Sequence, residues 1–158
     1  MIDWSKLETA QTRFESAREE VIASNNGRYS TATAALTADY PQLEKDTWPT
    51  QDKESRAWVA DQSSPTPWID DAARERGLHR EEYLRRTLVK ARQFEILSAF
   101  LTGRRQRYED QVKAASSQSE LDAIIVDYTV PMDVLIRLQH VEQGVMDAPA
   151  DQIGEALR

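Results

Sequence analysis

The residues able to do chemistry here are few. His79 and His140 are the only histidines and stand 61 positions apart, neither beside a run of acidic residues. A metal centre needs three or four convergent ligands at recognisable spacing, and the chain has no cysteine to supply a thiolate. Paired acids occur at Glu19-Glu20, Asp70-Asp71, Glu81-Glu82 and Glu109-Asp110. Neighbours on a helix diverge by about 100°, so such pairs make solvated faces rather than carboxylates sharing a proton. Nucleophile elbow, P-loop and glycine-rich phosphate cradle are all missing from the text. No catalytic, metal or cofactor residue is assigned, and a non-enzymatic role is expected.

Binding chemistry is better represented. Trp48, Trp58 and Trp68 lie within 21 residues, joined by Trp4 near the start, and Arg104, Arg105 and Arg107 adjoin Tyr108. Tryptophan, tyrosine and arginine dominate interface hot spots because each buries a large, rigid surface while keeping a polar handle. Two readings stand side by side: these aromatics anchor loops onto helices, or they form a recognition surface for another polypeptide.

The element that must position them runs from Arg80 to about Ala115. It contains no proline, and Leu84, Leu88, Ala91, Phe94, Ser98, Leu101, Tyr108 and Val112 recur at helical spacing. A single helix of about 50 Å is predicted, long enough to act as a spine for the rest. Its middle, from Phe94 to Leu101, is apolar on more than one side and calls for cover from at least two directions. Gly103 inside it predicts a bend or a close backbone approach.

Charge is unevenly spread along the chain's net −7. Residues 1–79 carry 9 basic and 14 acidic side chains, 80–113 carry 9 and 5, and 114–158 carry 2 and 8. Acidic helices packed round a basic rod explain this with modest electrostatics. A nucleic-acid interface would need a basic face left free with groups to read bases, so nucleic acid is not the expected partner.

Before the spine, Leu7, Ala10, Phe14, Ala17 and Val21 form a short heptad seam, capped by Asp3 or by Ser5 in a Ser5–Glu8 capping box. Too short to stand alone, the seam needs the long helix or copies of itself, which would make a homo-oligomer. Asn25-Asn26-Gly27 predicts a stop, followed by a helix over 28–40. Pro41 and Pro49 predict two helix starts. Thr66 is expected to cap a short helix ended by Gly77, with Leu78 completing a Schellman motif.

After the spine, Ser119 is expected to cap a helix to about Val126, although the β-rich run 123–130 also permits a strand. Pro131 starts a helix expected to end at Gly144, and the acidic tail beyond Met146 is expected to fray or to need a partner. The divisions are 1–26, 27–115, 116–146 and 147–158, and the fold class is all-α, an elongated bundle or hairpin on one long helix. No apolar run is long enough to span a bilayer and the start is no signal peptide, so a soluble, intracellularly made protein is expected.

One resemblance emerges. Thr47-Trp48-Pro49-x-Gln51, Ala57-Trp58, Asp61, Thr66-Pro67, Arg76-Gly77 and Gly103-x-Arg105-Gln106 resemble a domain that recurs in tailed-phage tail-fibre and tail-fibre-assembly (chaperone-like) proteins. The likeness covers about residues 40–115, and the opening IDWSKLETA is similar to starts of phage tail proteins. Gln62 and Trp68 depart from the small residues usual there. The resemblance implies a non-enzymatic assembly protein that holds a tail-fibre or other tail protein through Trp48, Trp58, Trp68, Arg104, Arg105, Arg107 and Tyr108. It would act in the host cytoplasm during assembly; a structural part of the virion tail is the alternative, and a DNA-binding regulator using the basic helix a second.

Overall fold

The computed structural model describes residues 1–4 and 9–158. The protein is all-α. Its helices are α1 (Ala10–Ala35), α2 (Gln42–Ala60), α3 (Pro67–Arg76), α4 (Arg80–Ala114), α5 (Gln118–Asp122), α6 (Met132–Asp147) and α7 (Ile153–Ala156), with a 3₁₀ turn at Ala150–Gln152. No strand occurs among the described residues. No helix is long and apolar enough to cross a membrane among them. The predicted spine is α4, unbroken over 35 residues.

The chain divides into two compact units. One joins Met1–Leu36 to Ala99–Thr129, and the other joins Thr37–Ser98 to Val130–Arg158. In the first unit α1 runs antiparallel to the second half of α4. Hydrogen bonds fix the register: Arg18 Nη2 to the Lys113 carbonyl at 3.2 Å, Asn25 Nδ2 to the Arg105 carbonyl at 3.0 Å, and Tyr29 with Thr102 at 3.1 Å between hydroxyls. The heptad seam finds its partner inside the chain, since Phe14, Ala17, Val21 and Ile22 pack on Val112, Ala115 and Leu121.

The expected stop at Asn25-Asn26-Gly27 does not occur. Helix α1 passes straight through, and Gly77 alone takes a positive φ among the described residues. The reason is tertiary. Asn25 is buried, and both ends of its amide are satisfied, Nδ2 by Arg105 and Oδ1 by the Tyr128 hydroxyl. The helix instead begins after Thr9, whose Oγ1 accepts the Thr12 N–H at 3.1 Å. Leu7 and the Ser5–Glu8 box lie outside the described residues.

In the second unit α2 also runs through a predicted boundary, with Pro49 in its interior. Proline there removes the N–H that would bond the Lys45 carbonyl, a defect costing about 3 kcal/mol in an ordinary helix. Burial on one face offsets it: Gln51, Ser55 and Trp58 are buried, and Trp48 sits between the rings of Tyr40 and Phe94, 5.2 and 6.2 Å away. Residues Ile69, Ala73, Leu84, Leu88, Val89, Ile96, Val134, Val141, Val145 and Ile153 complete the buried apolar set of this unit.

Helix α3 ends as predicted. Gly77 has φ 70°, its N–H bonds the Arg74 carbonyl, and the Leu78 N–H bonds the Ala73 carbonyl at 2.9 Å. Its start differs, because Thr66 makes no side-chain cap. Glu54 on α2 does the work, its two carboxylate oxygens accepting the Trp68 and Ile69 N–H groups at 3.1 and 2.9 Å. Thr66 is turned instead to Asp70 and to Arg80 Nε.

Four further expectations are corrected. Gly103 marks no close approach, as nothing lies within 4 Å of a Cβ built there. Ser117 rather than Ser119 caps α5, which ends at Asp122, and the run 124–130 is neither helix nor strand but a strap held by side chains. Helix α6 continues past Gly144 to Asp147, because Gly144 lies against α7, where a Cβ would meet that of Ala156 at 3.0 Å. The tail is ordered without a partner: Ile153 is fully buried, and Arg92 donates to the Arg158 carbonyl at 3.1 Å.

Candidate functional site

The two groups of sequence-predicted binding residues fall in different units. Arg104, Arg105, Arg107 and Tyr108 fall in the first unit, on the second half of α4, together with α1 and strap residues 124–129. Tyr108 is buried and works on the strap: its hydroxyl donates to the Asp127 carbonyl and accepts from the Asp127 N–H, both at 3.0 Å. Arg104 lies over the Phe100 ring at 4.5 Å and donates to the Asp127 carbonyl at 2.9 Å. From α1, Arg28 donates to the Val126 carbonyl at 2.9 Å.

Tyr128 anchors the strap from the other side. Its ring lies 6.1 Å from that of Tyr29 and 6.0 Å from that of Tyr108, and burial pushes its phenol above the ordinary value. Arg105 donates to Glu109 at 3.0 Å and to Asn26 Oδ1 at 3.3 Å. Lys113 first, and Arg105 after it, hold the Glu109 carboxyl below the usual carboxylate range. The N–H of Thr129 does the same for Asp127.

Arg107 differs from its neighbours. Its guanidinium lies over the Tyr108 ring at 5.3 Å, and it makes no ion pair among the described residues. It borders an open groove of about 600 Å³ also lined by Tyr108, Gln111, Ala115, Ile124 and Ile125 and by the carboxylate-bearing Glu120. Ile125 is 79% exposed, an unusual state for a large aliphatic side chain. An arginine on an aromatic ring beside exposed isoleucine suits an apolar polypeptide segment carrying an acidic group.

The tryptophans lie in the second unit, and the structure separates their roles. Trp58 is only 4% exposed and belongs to the core, so the recognition role given to it is corrected. Trp48 is half-buried in its aromatic stack, where Lys90 Nζ lies 5.1 Å from the Tyr40 ring. Trp68 is half-buried edge-on to Tyr83 at 6.2 Å, and Arg76 covers the same tyrosine at 5.8 Å. Trp4, in the first unit, is 72% exposed. Tyr108, buried under the strap, reaches another molecule only by the edge that borders the groove.

The basic residues of α4 are mostly engaged within their own units. Arg80 pairs with Asp70, Arg85 with Glu81, Arg86 with Glu82, Arg92 with Glu95, and Arg105 and Lys113 with Glu109. His79 stands at the entrance to α4, its Nδ1 accepting the Glu81 N–H at 3.4 Å. No group of three potential metal ligands occurs among the described residues. Sequence reasoning missed Asn25, Tyr29 and Tyr128. Only the β-rich character of 123–130 hinted that this run would leave the helical pattern and need side chains to hold it.

Comparison with known proteins adds one finding. A family described as HI1402 helical domain matches residues 89–126, about a quarter of the chain. The match runs from the middle of α4 through α5 to Val126 and takes in the groove residues from Arg107 to Ile125. No curated protein and no solved structure matches the chain.

Proposed function

We propose that this chain is a non-enzymatic binding protein that assists assembly of a phage tail fibre, holding a tail-fibre or other tail protein in a chaperone-like manner. The observation that carries the binding part is the groove beside Arg107, where an arginine with no ion pair among the described residues and a largely exposed isoleucine line a mixed surface that Gln111 and Glu120 also border. Free cation and free aliphatic surface together favour a polypeptide over a nucleic acid, because the other arginines of that half-helix already serve Glu109 or the strap. The tail-fibre identity rests on the resemblance of residues 40–115 to tail proteins.

Co-expression with the neighbouring tail-fibre protein is the test. Greater recovery of soluble fibre with this chain, lost with Arg107→Glu and Ile125→Asp, is the expected result. Equal recovery with and without the chain removes the chaperone role. Mass spectrometry of purified particles separates a transient helper, which is absent from them, from a resident tail component.

A further inference from the structure

Helix α6 is apolar on two opposite sides, and the chain covers one of them. Val134, Val141 and Val145 are buried in the second unit, and Leu138 beside them is partly buried, its carbonyl accepting from Gln93 at 3.1 Å. On the other side Met132, Leu135, Ile136 and Met146 are exposed, Met132 to 69%. At about 100° per residue these four fall, with Gln139 and Gln143, on one arc about 100° wide and about 20 Å long. A surface helix needs a single apolar stripe to hold its place. The second one is unexplained by folding.

The borders of that arc carry its charge. Asp133 and Asp147 flank one edge with His140 between them, and Glu142 flanks the other, whereas Arg137 falls outside. None of these carboxylates makes an ion pair among the described residues, while on α4 Glu81, Glu82, Glu95 and Glu109 all do. Methionines at both ends give the surface polarisable side chains that adapt to a partner's shape. A methionine-bearing apolar face between unpaired acids is complementary to a helix with an apolar stripe between basic residues.

We infer that the outer face of α6 docks a basic amphipathic helix of another polypeptide, with Met132, Leu135, Ile136 and Met146 taking its apolar stripe and Asp133, Glu142 and Asp147 its cations. This site is separate from the groove beside Arg107 and does not depend on the tail-fibre reading. A second copy of the chain is a poorer occupant, because antiparallel pairing of two α6 faces centred on Gln139 adds three carboxylates from each side and no cation on the arc.

The chain has three methionines, Met1, Met132 and Met146, so methyl-labelled methionine reports the face directly. The probe is a synthetic amphipathic peptide of leucine and lysine about five turns long, titrated into the full chain by NMR. The Met132 and Met146 methyls should shift while Met1 stays. Binding should weaken about tenfold in the Asp133→Asn, Glu142→Gln, Asp147→Asn triple variant, as the loss of three modest ion pairs implies, and should be lost with Leu135→Ser, Ile136→Ser. The same peptide with glutamate for lysine should leave all three methyls in place.

Three outcomes overturn the inference. One is lysine-peptide binding that leaves Met132 and Met146 unmoved or survives both sets of substitutions. Another is equal binding of the glutamate peptide. The third is a methyl shift that appears on concentrating the chain alone, with sedimentation of a dimer that Leu135→Ser, Ile136→Ser abolishes; that outcome assigns the face to a second copy.

Discussion

The Asn25 side chain donates from α1 to the carbonyl of Arg105 on α4 at 3.0 Å, and its oxygen receives the hydroxyl of Tyr128. One buried amide thereby joins two antiparallel helices to the strap that crosses them. Removing it leaves the tyrosine hydroxyl without its acceptor. Asn25→Ala should destabilise the protein by about 1–3 kcal/mol, the range for breaking buried hydrogen bonds and stranding a partner. Chemical denaturation with tyrosine emission as the probe would measure this. An unchanged midpoint would mean that Tyr128 holds the strap by ring packing alone.

Glu54 stands to α3 as an N-cap borrowed from another helix, accepting the Trp68 and Ile69 N–H groups. Glu54→Ala should cost about 1 kcal/mol, as losing a native cap does. Hydrogen exchange should quicken first at Trp68 and Ile69. Uniform exchange along α3 in both proteins would show that the cap is idle.

Three glycines should respond with opposite signs. Gly27 and Gly103 sit in helix interiors with open space where a Cβ would go, so alanine at either should stabilise by roughly 0.5–1 kcal/mol. Gly77, at φ 70°, should lose a similar amount on the same change because a Cβ is strained there. Thermal melts of the three single variants give the ranking, and a stabilised Gly77→Ala would contradict it.

The Ser55 hydroxyl is fully buried and has no hydrogen-bond partner among the described residues. Ser55→Ala removes an unsatisfied polar atom while keeping the small volume. Its stability should lie between the parent's and about 1 kcal/mol above it. A clear loss in calorimetry would reveal a partner for that hydroxyl.

Asp127, Glu109 and Glu120 all belong to the first unit and are all held below ordinary carboxylate values, by the Thr129 N–H, Lys113 and the Ser116 N–H respectively. A depressed folded value means that the fold binds the proton less well than the unfolded chain does. Their contribution is therefore complete above the free carboxyl values of 3.8 and 4.5 and disappears as pH falls through the lower folded ones. Melting temperature should drop on acidification below about pH 4.5, and Asp127→Asn, which keeps an acceptor for Thr129, should flatten that drop. A parallel pH profile in the variant would exclude Asp127 from the effect.

Local chemistry decided what short-range physics can decide. The proline-free repeat from Leu84 to Val112 made one helix of α4, because three- and four-residue spacing leaves no other conformation that buries all of it. Gly77 and Leu78 closed α3 because a left-handed terminus needs only a residue without a Cβ and an apolar follower. Tertiary structure overruled every signal whose local cost was smaller than the burial on offer. Asn25-Asn26-Gly27 stayed helical because Arg105 and Tyr128 satisfy Asn25, and Pro49 stayed inside α2 because Trp48, Ser55 and Trp58 are held on one face. Which tryptophan is core, which arginine is free, and which side of α6 is left bare depend on neighbours far along the chain, and no periodicity within a helix encodes them.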